Sequence, residues 1–209
     1  YKPARDKKSE ILFCKNTTKD FGIDVVPFGA ISKELKGEQL AEMFDMYNAG
    51  ALAFSDNMRP VHNSGLFSRA LLYAKNFNGL IISFPYEEKI SPNGLINEGV
   101  VSTKLGLEGI PDLSEELMVN RDILINRYHE GRLHFNILSS KKSLKQIEVA
   151  KKTQNNLSCG TSIFHLLFDD EIIDQFDNRF KILPPFRTKE DRNALLEGVK
   201  NGTIDVITS

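Results

Sequence analysis

Leu40-Ala41-Glu42-Met43-Phe44-Asp45-Met46-Tyr47-Asn48-Ala49-Gly50-Ala51-Leu52-Ala53-Phe54-Ser55-Asp56-Asn57 carries two periodicities in one stretch. Leu40, Met43, Phe44 and Tyr47 repeat at i, i+3, i+4 and i+7, the spacing of one apolar helix face. Gly50 suits the left-handed position just past a helix end. Residues 51–55 then run apolar without alternation, as a strand covered on both faces does, and give way to Asp56-Asn57. A helix that stops at a glycine and passes straight into a buried strand belongs to a βαβ arrangement, so the stretch predicts a parallel sheet.

The same alternation extends in both directions. Short apolar runs bounded by Gly, Pro or Asn predict strands over 23–28, 80–84, 133–138 and 204–208. Residues 157–163 form a weaker strand candidate, small and polar at Ser158, Cys159, Gly160, Thr161 and Ser162. A run over 181–185 ends in Pro-Pro and cannot continue as a central strand. Helical spacing recurs over 66–74, 117–128 and 144–150. Thr188 with Asp191 three residues on has the form of a capping box, opening a helix through Leu195, Leu196 and Val199 that Gly202 closes. The aromatic and methionine stripes of these helices are core positions.

Strand alternating with helix allows an open doubly wound sheet or a (β/α)8 barrel. The chain has neither a G-x-G-x-x-G nor a G-x-x-x-x-G-K-[ST] string for a nucleotide-binding open sheet. Five or six core strands are too few for a complete barrel of about 250 residues, so the barrel reading requires further units.

Composition excludes several classes of function. The 209 residues are 41% apolar and 26% charged with a formal net charge of -1, an ordinary globular balance. No apolar run is long enough to span a membrane, and the near-zero charge argues against a nucleic-acid or membrane-surface protein. Cys14 and Cys159 are too few for a disulfide framework; with no signal-peptide pattern at the N-terminus, a reducing, cytoplasmic setting is expected. The four histidines, His62, His129, His134 and His165, are few for a histidine-bound metal centre.

In a barrel the chemistry sits at the C-terminal ends of the strands. There the sequence offers Asp56, Glu87, Glu88 and His134, with no His-x-His pair. Asp56 also suits a turn or helix cap, Glu87 and Glu88 a solvated loop, and His134, between Leu133 and Phe135, a satisfied core position. Cys159 reads as a small buried side chain with no neighbouring base to make it a nucleophile. Spacing alone therefore yields an α/β chain without a convincing catalytic set.

The motifs say more. Pro27-Phe28-Gly29-Ala30-Ile31-Ser32, Gly37-Glu38-Gln39-Leu40-Ala41-Glu42 and the stretch from Ala49 to Asp56 resemble the middle of a dihydroorotase of the bacterial class I type, within the amidohydrolase superfamily. The similarity continues through Asn97-Glu98-Gly99, Leu105-Gly106-Leu107-Glu108-Gly109-Ile110-Pro111, Pro184-Pro185-Phe186-Arg187 with Asp191-Arg192, and Gly202-Thr203-Ile204-Asp205. The resemblance implies a (β/α)8 TIM barrel of the amidohydrolase type, of which residues 1–209 are the central part of one barrel domain, about strands three to eight. Tyr1-Lys2-Pro3 matches the tail of the family's segment after the second strand. The His-x-His-x-Arg motif then lies upstream and the late Asp-His-x-Pro motif downstream, so the chain by itself is not expected to be an independent enzyme.

The resemblance also locates the family's site positions, and this chain departs at each. The metal-bridging acid falls on Asn57, and the fifth-strand histidine on Pro85 before Tyr86-Glu87-Glu88. The sixth-strand histidine falls on Ile137, the seventh-strand Glu on Gly160, and the substrate-binding Asn before Pro-Pro on Leu183. Asp56 and His134 are the residual candidates. Loss of even one ligand or its orienting partner costs about 10–100-fold in metal affinity. The expectation is a non-catalytic homologue without a cofactor, supporting an aspartate transcarbamoylase, with a homodimer as a further possible assembly. The alternative is an active dihydroorotase interconverting N-carbamoyl-L-aspartate and L-dihydroorotate with a single zinc. A third reading is an amidohydrolase turned to another cyclic amide.

Overall fold

A computed structural model describes residues 3–175 and 177–209, with the side chains of Asp174, Gln175 and Asn178 also outside the description. Tyr1 and Lys2, the start of the Tyr1-Lys2-Pro3 match, therefore lie outside the described residues. The residues group into two compact units: the chain up to Phe84 together with Leu124–His134, and Pro85–Ile123 together with Phe135–Ser209.

In the first unit, β1 (Ala53–Phe54) pairs in parallel with β2 (Leu80–Ser83), Ala53 opposite Leu80, and β5 (Arg132–Phe135) lies next to β2. Helices α1 (Lys8–Thr17), α2 (Met43–Asn48) and α3 (Ser64–Lys75) accompany these strands. The apolar period explains α3, where Leu66, Phe67, Ala70, Leu71 and Ala74 are buried; in α2 the buried residues are Met43 and Met46, while Phe44 and Tyr47 of the expected core face are exposed and Leu40 precedes the helix. Asn63 caps α3 by accepting from the Leu66 amide at 3.0 Å. Gly50 takes φ 101° just past α2, as its place beyond a helix end requires. Phe77 gathers the rings of Phe44, Tyr47, Phe54 and Tyr73 at centroid separations of 5.0–5.9 Å. Each such pair contributes about 0.5–1.5 kcal/mol beyond the area it buries.

The expected strand over 23–28 does not form. That segment forms no regular element; Leu52 N donates to Pro27 O at 3.1 Å, and Gly29 makes a single parallel bridge to Phe54. Pro27 has no N–H to give, and Ile23, Val26 and Phe28 remain exposed, so the apolar composition does not produce a buried strand here. Gly29 is needed for close approach: a Cβ there would sit 2.9 Å from Met46 Sδ and 3.0 Å from the Phe54 ring.

In the second unit, β3 (Ile96–Asn97) and β4 (Gly109–Ile110) form a parallel pair. A Cβ on Gly109 would lie 2.5 Å from Glu98 Cα, which explains the glycine of the Gly109-Ile110-Pro111 string. The weak candidate over 157–163 is a full strand, β6 (Leu157–Ser162), paired in parallel with β7 (Val206–Thr208). The remaining helices are α4 (Val100–Leu105), α6 (Lys141–Lys151), α7 (Ile163–Leu167) and α8 (Lys189–Lys200). Thr188 and Asp191 form the expected capping box at the start of α8. The run over 181–185 is not a strand. One further helix, α5 (Leu113–His129), has 17 residues, of which those up to Ile123 belong to the second unit and those from Leu124 to the first. No described helix is long and apolar enough to cross a membrane.

Candidate functional site

Asn57 and Asp56 follow β1. Asn57 is exposed and sits at φ 60°, a left-handed conformation that Asn and Asp adopt more readily than most residues; its N–H donates to Ser55 Oγ at 3.0 Å. Asp56 is 3% exposed. Its Oδ1 accepts from the Ile31 amide at 2.8 Å and the Ser32 amide at 3.0 Å. Its Oδ2 accepts from the Ser32 hydroxyl. The same hydroxyl oxygen accepts from Gly37 N at 2.8 Å. Burial pushes the Asp56 carboxyl above its ordinary range, and the three Ser32 and Ile31 donors pull the other way. The carboxylate thus clasps the loop over 31–37 to the end of β1.

In the second unit, Pro85 is buried immediately after the β2 run, Ile137 is half-buried after β5, and Leu183 is half-buried ahead of Pro184. Gly160 lies buried within β6 opposite Val206, and its carbonyl accepts from Leu138 N at 2.8 Å. Thr161 Oγ1 donates to Leu138 O at 2.8 Å, so two bonds tie the segment after Ile137 to β6. Glu87 accepts from the Lys89 amide at 3.2 Å and caps a short turn, while Glu88 is exposed. In the first unit, His134 is buried within β5.

A buried polar network that spacing did not reveal sits in this unit around Arg187, which is 3% exposed. Its Nη1 donates to Asn97 Oδ1 at 2.9 Å and to Ile110 O at 2.6 Å; its Nε donates to Ser139 Oγ at 3.2 Å. The Ser139 hydroxyl donates in turn to Glu115, which also accepts from the Ser139 and Ser140 amides. Asn97 Nδ2 donates to Asp170 Oδ2 at 2.7 Å. Burial pushes the Glu115 carboxyl up and the Arg187 guanidinium down, and the attraction between the two charges opposes both shifts. The one sequence signal was that Asn97 and Arg187 both fall in the motif strings. The network fastens loops; it presents no nucleophile.

Two further titratable groups are sealed. Cys159 is fully buried, its thiol is pushed up to about 12 by desolvation, and its Sγ contacts Thr203 O at 3.3 Å, so it is not a thiolate near neutrality. His165 on α7 is held down to about 4 by burial, with Nε2 3.1 Å from Pro184 O and Nδ1 buried without a partner. Among the described residues no three His, Cys, Asp or Glu side chains converge as a metal site would require. Asn, Pro, Ile, Gly and Leu at the five matched positions supply no charged or imidazole donor, so these residues do not fit a zinc centre.

Known proteins place the chain in context. The family described as Dihydro-orotase-like matches residues 1–143. A dihydroorotase of Acetivibrio thermocellus is 39% identical over 208 residues, covering 99% of this chain and 49% of that protein. One from Pelotomaculum thermopropionicum is 41% identical over 207 residues, covering 99% and 48%. The chain thus spans about half the length of the curated relatives it matches. Among solved structures, an L-hydantoinase (dihydropyrimidinase) from Arthrobacter aurescens superimposes with a TM-score of 0.80 at 18% identity over 99% of this chain and 48% of that one. A D-hydantoinase crystal structure gives 0.75 at 17% identity, over 100% and 48%. The likeness establishes the fold as α/β, a segment of an amidohydrolase-type barrel.

Proposed function

The chain belongs to the dihydroorotase-like family, and from that premise we propose that it is a metal-depleted homologue in cytoplasmic pyrimidine biosynthesis, with an assembly role beside an aspartate transcarbamoylase. The observation that carries this reading is the donor chemistry at the five matched positions. Asn57, Pro85, Ile137, Gly160 and Leu183 hold no imidazole or carboxylate, and the adjacent Asp56 commits its oxygens to Ile31 and Ser32. A bridging group without charge cannot hold two zinc ions together, and without a metal-bound hydroxide no nucleophile is generated at neutral pH.

The test uses the protein in its full natural length, purified with and without added zinc. Metal content and turnover of L-dihydroorotate and N-carbamoyl-L-aspartate are measured, together with co-elution with aspartate transcarbamoylase. The expected result is zinc far below one equivalent, no turnover, and co-elution. Near-stoichiometric zinc with turnover would overturn the reading and establish the second one, an active dihydroorotase using a single zinc. The 39% and 41% identity to proteins named dihydroorotase is what favours that second reading.

A further inference from the structure

The loop over 31–37, within the first unit, is strained and fully hydrogen-bonded at once. Glu34 and Leu35 are consecutive at φ 53° and 57°, the left-handed region that neither side chain favours, and Gly37 follows at 68°. Against that strain every amide from Ile31 to Gly37 has an acceptor. Ile31 and Ser32 donate to Asp56, Lys33 to Gln39 O at 2.9 Å, and Glu34 to Asp6 Oδ2 at 2.8 Å. Leu35 donates to Ser32 O at 3.2 Å, Lys36 to Lys33 O at 3.1 Å, and Gly37 to Ser32 Oγ at 2.8 Å. Non-glycine residues hold such a conformation only where their surroundings over-determine it, and strain of this kind gathers at clamps and switches.

Apolar burial is not what holds the loop. Ile31 and Ser32 are at most 1% exposed and anchor its base, which an antiparallel bridge from Ser32 to Leu40 closes. Beyond that base Lys33, Glu34 and Lys36 are exposed and Leu35 is half-buried. The fastening runs through two buried carboxylates, Asp56 and Asp6, and through the Ser32 hydroxyl, which donates to Asp56 and accepts from Gly37. Bonds that share an atom are lost together, and a segment with little buried apolar surface opens at less cost than a core. Under the loop lies the Asp56 carboxyl, just past the C-terminal end of β1.

We propose that residues 33–37 form a strap with two states, pivoting on Ser32 and Gly37. In the closed state Glu34 and Leu35 are held left-handed and Asp56 is sealed. In the open state both residues relax and the Asp56 carboxyl meets water, while α3 stays folded. The strap works in the same way whether or not the protein turns over dihydroorotate.

Hydrogen exchange followed by mass spectrometry on the full-length protein tests it, with carbodiimide coupling of glycine ethyl ester to Asp56 as a second readout. Corrected for intrinsic rates, the amides of 33–37 should exchange at least about tenfold faster than the buried amides of α3. Ser32→Ala removes the shared hydroxyl and should speed exchange of 33–37 by about tenfold more, with α3 unchanged. Glu34→Gly relieves the strain and should slow both the exchange and the labelling of Asp56 about threefold. Glu34→Ala loses the same ion pair to Lys36 but keeps the left-handed penalty, and should slow neither. Exchange of 33–37 at the α3 rate in the parent overturns the strap, because the loop then opens only with its unit. Equal acceleration of 33–37 and α3 in Ser32→Ala overturns it as well, and so does a Glu34→Gly protein that exchanges no more slowly than Glu34→Ala.

Discussion

Asp56 turns a carboxylate inward, where three donors from Ile31 and Ser32 take up its oxygens. Asp56→Ala would leave two buried amides without an acceptor, at an expected cost of about 2–4 kcal/mol in chemical denaturation. Asp56→Asn keeps one acceptor oxygen and should cost about half as much. An alanine variant as stable as the parent would rule out the clasp. The next residue is a different case. Its side chain reads from the sequence as a missing ligand, yet φ 60° at Asn57 also gives Asn a conformational reason to be there. Sequence spacing reports the chemical type of a residue; it does not report the backbone conformation the residue must adopt.

At the scale of elements, helices with a clean apolar period were legible. The spacing placed α3, α6 and α8, and the Thr188 and Asp191 pair marked the start of α8 within a residue; α2 also forms, but Phe44 and Tyr47 of its expected core face are exposed. Helix α1 was not legible because Ile11 is its one buried residue, so no apolar stripe exists to be read. Strand β6 looked weak because its side chains are small and polar. Its polar groups are satisfied locally: the Thr161 hydroxyl by Leu138 O, and Ser162 Oγ by the Phe164 amide of α7. The run over 23–28 erred the other way, apolar in composition but interrupted by Pro27. The Arg187 network was beyond sequence reasoning for a simple reason. Asn97 lies 90 residues away and Ile110 77, and the latter bond goes to a backbone carbonyl that every residue possesses.

For the molecule as a whole, His165 sets a dependence of stability on pH. Its folded-state value of about 4 lies below the ordinary 6.5, so the unfolded chain binds the proton more readily. Stability from this group is complete above pH 6.5 and is lost as pH falls toward 4, a change of about 2–3 kcal/mol. Asp56, Glu115 and Asp170, pushed up by burial, give the opposite slope, so the measurement must be a difference between proteins. Denaturation of the parent and His165→Leu near neutrality and near the folded-state value should show the variant losing less stability on acidification. Equal losses would exclude His165 as the titrating group.

The two thiols offer a way to time how the chain opens. Cys14, half-buried on α1, belongs to the first unit; Cys159, sealed in β6 with its proton held up to about 12, belongs to the second. A thiol in that state alkylates only when its strand separates from its neighbour, so its labelling rate measures local opening. Followed by mass spectrometry, Cys14 should be modified first. Cys159 should follow at a rate that climbs with added urea, so the chain carries its own pair of clocks, one in each unit.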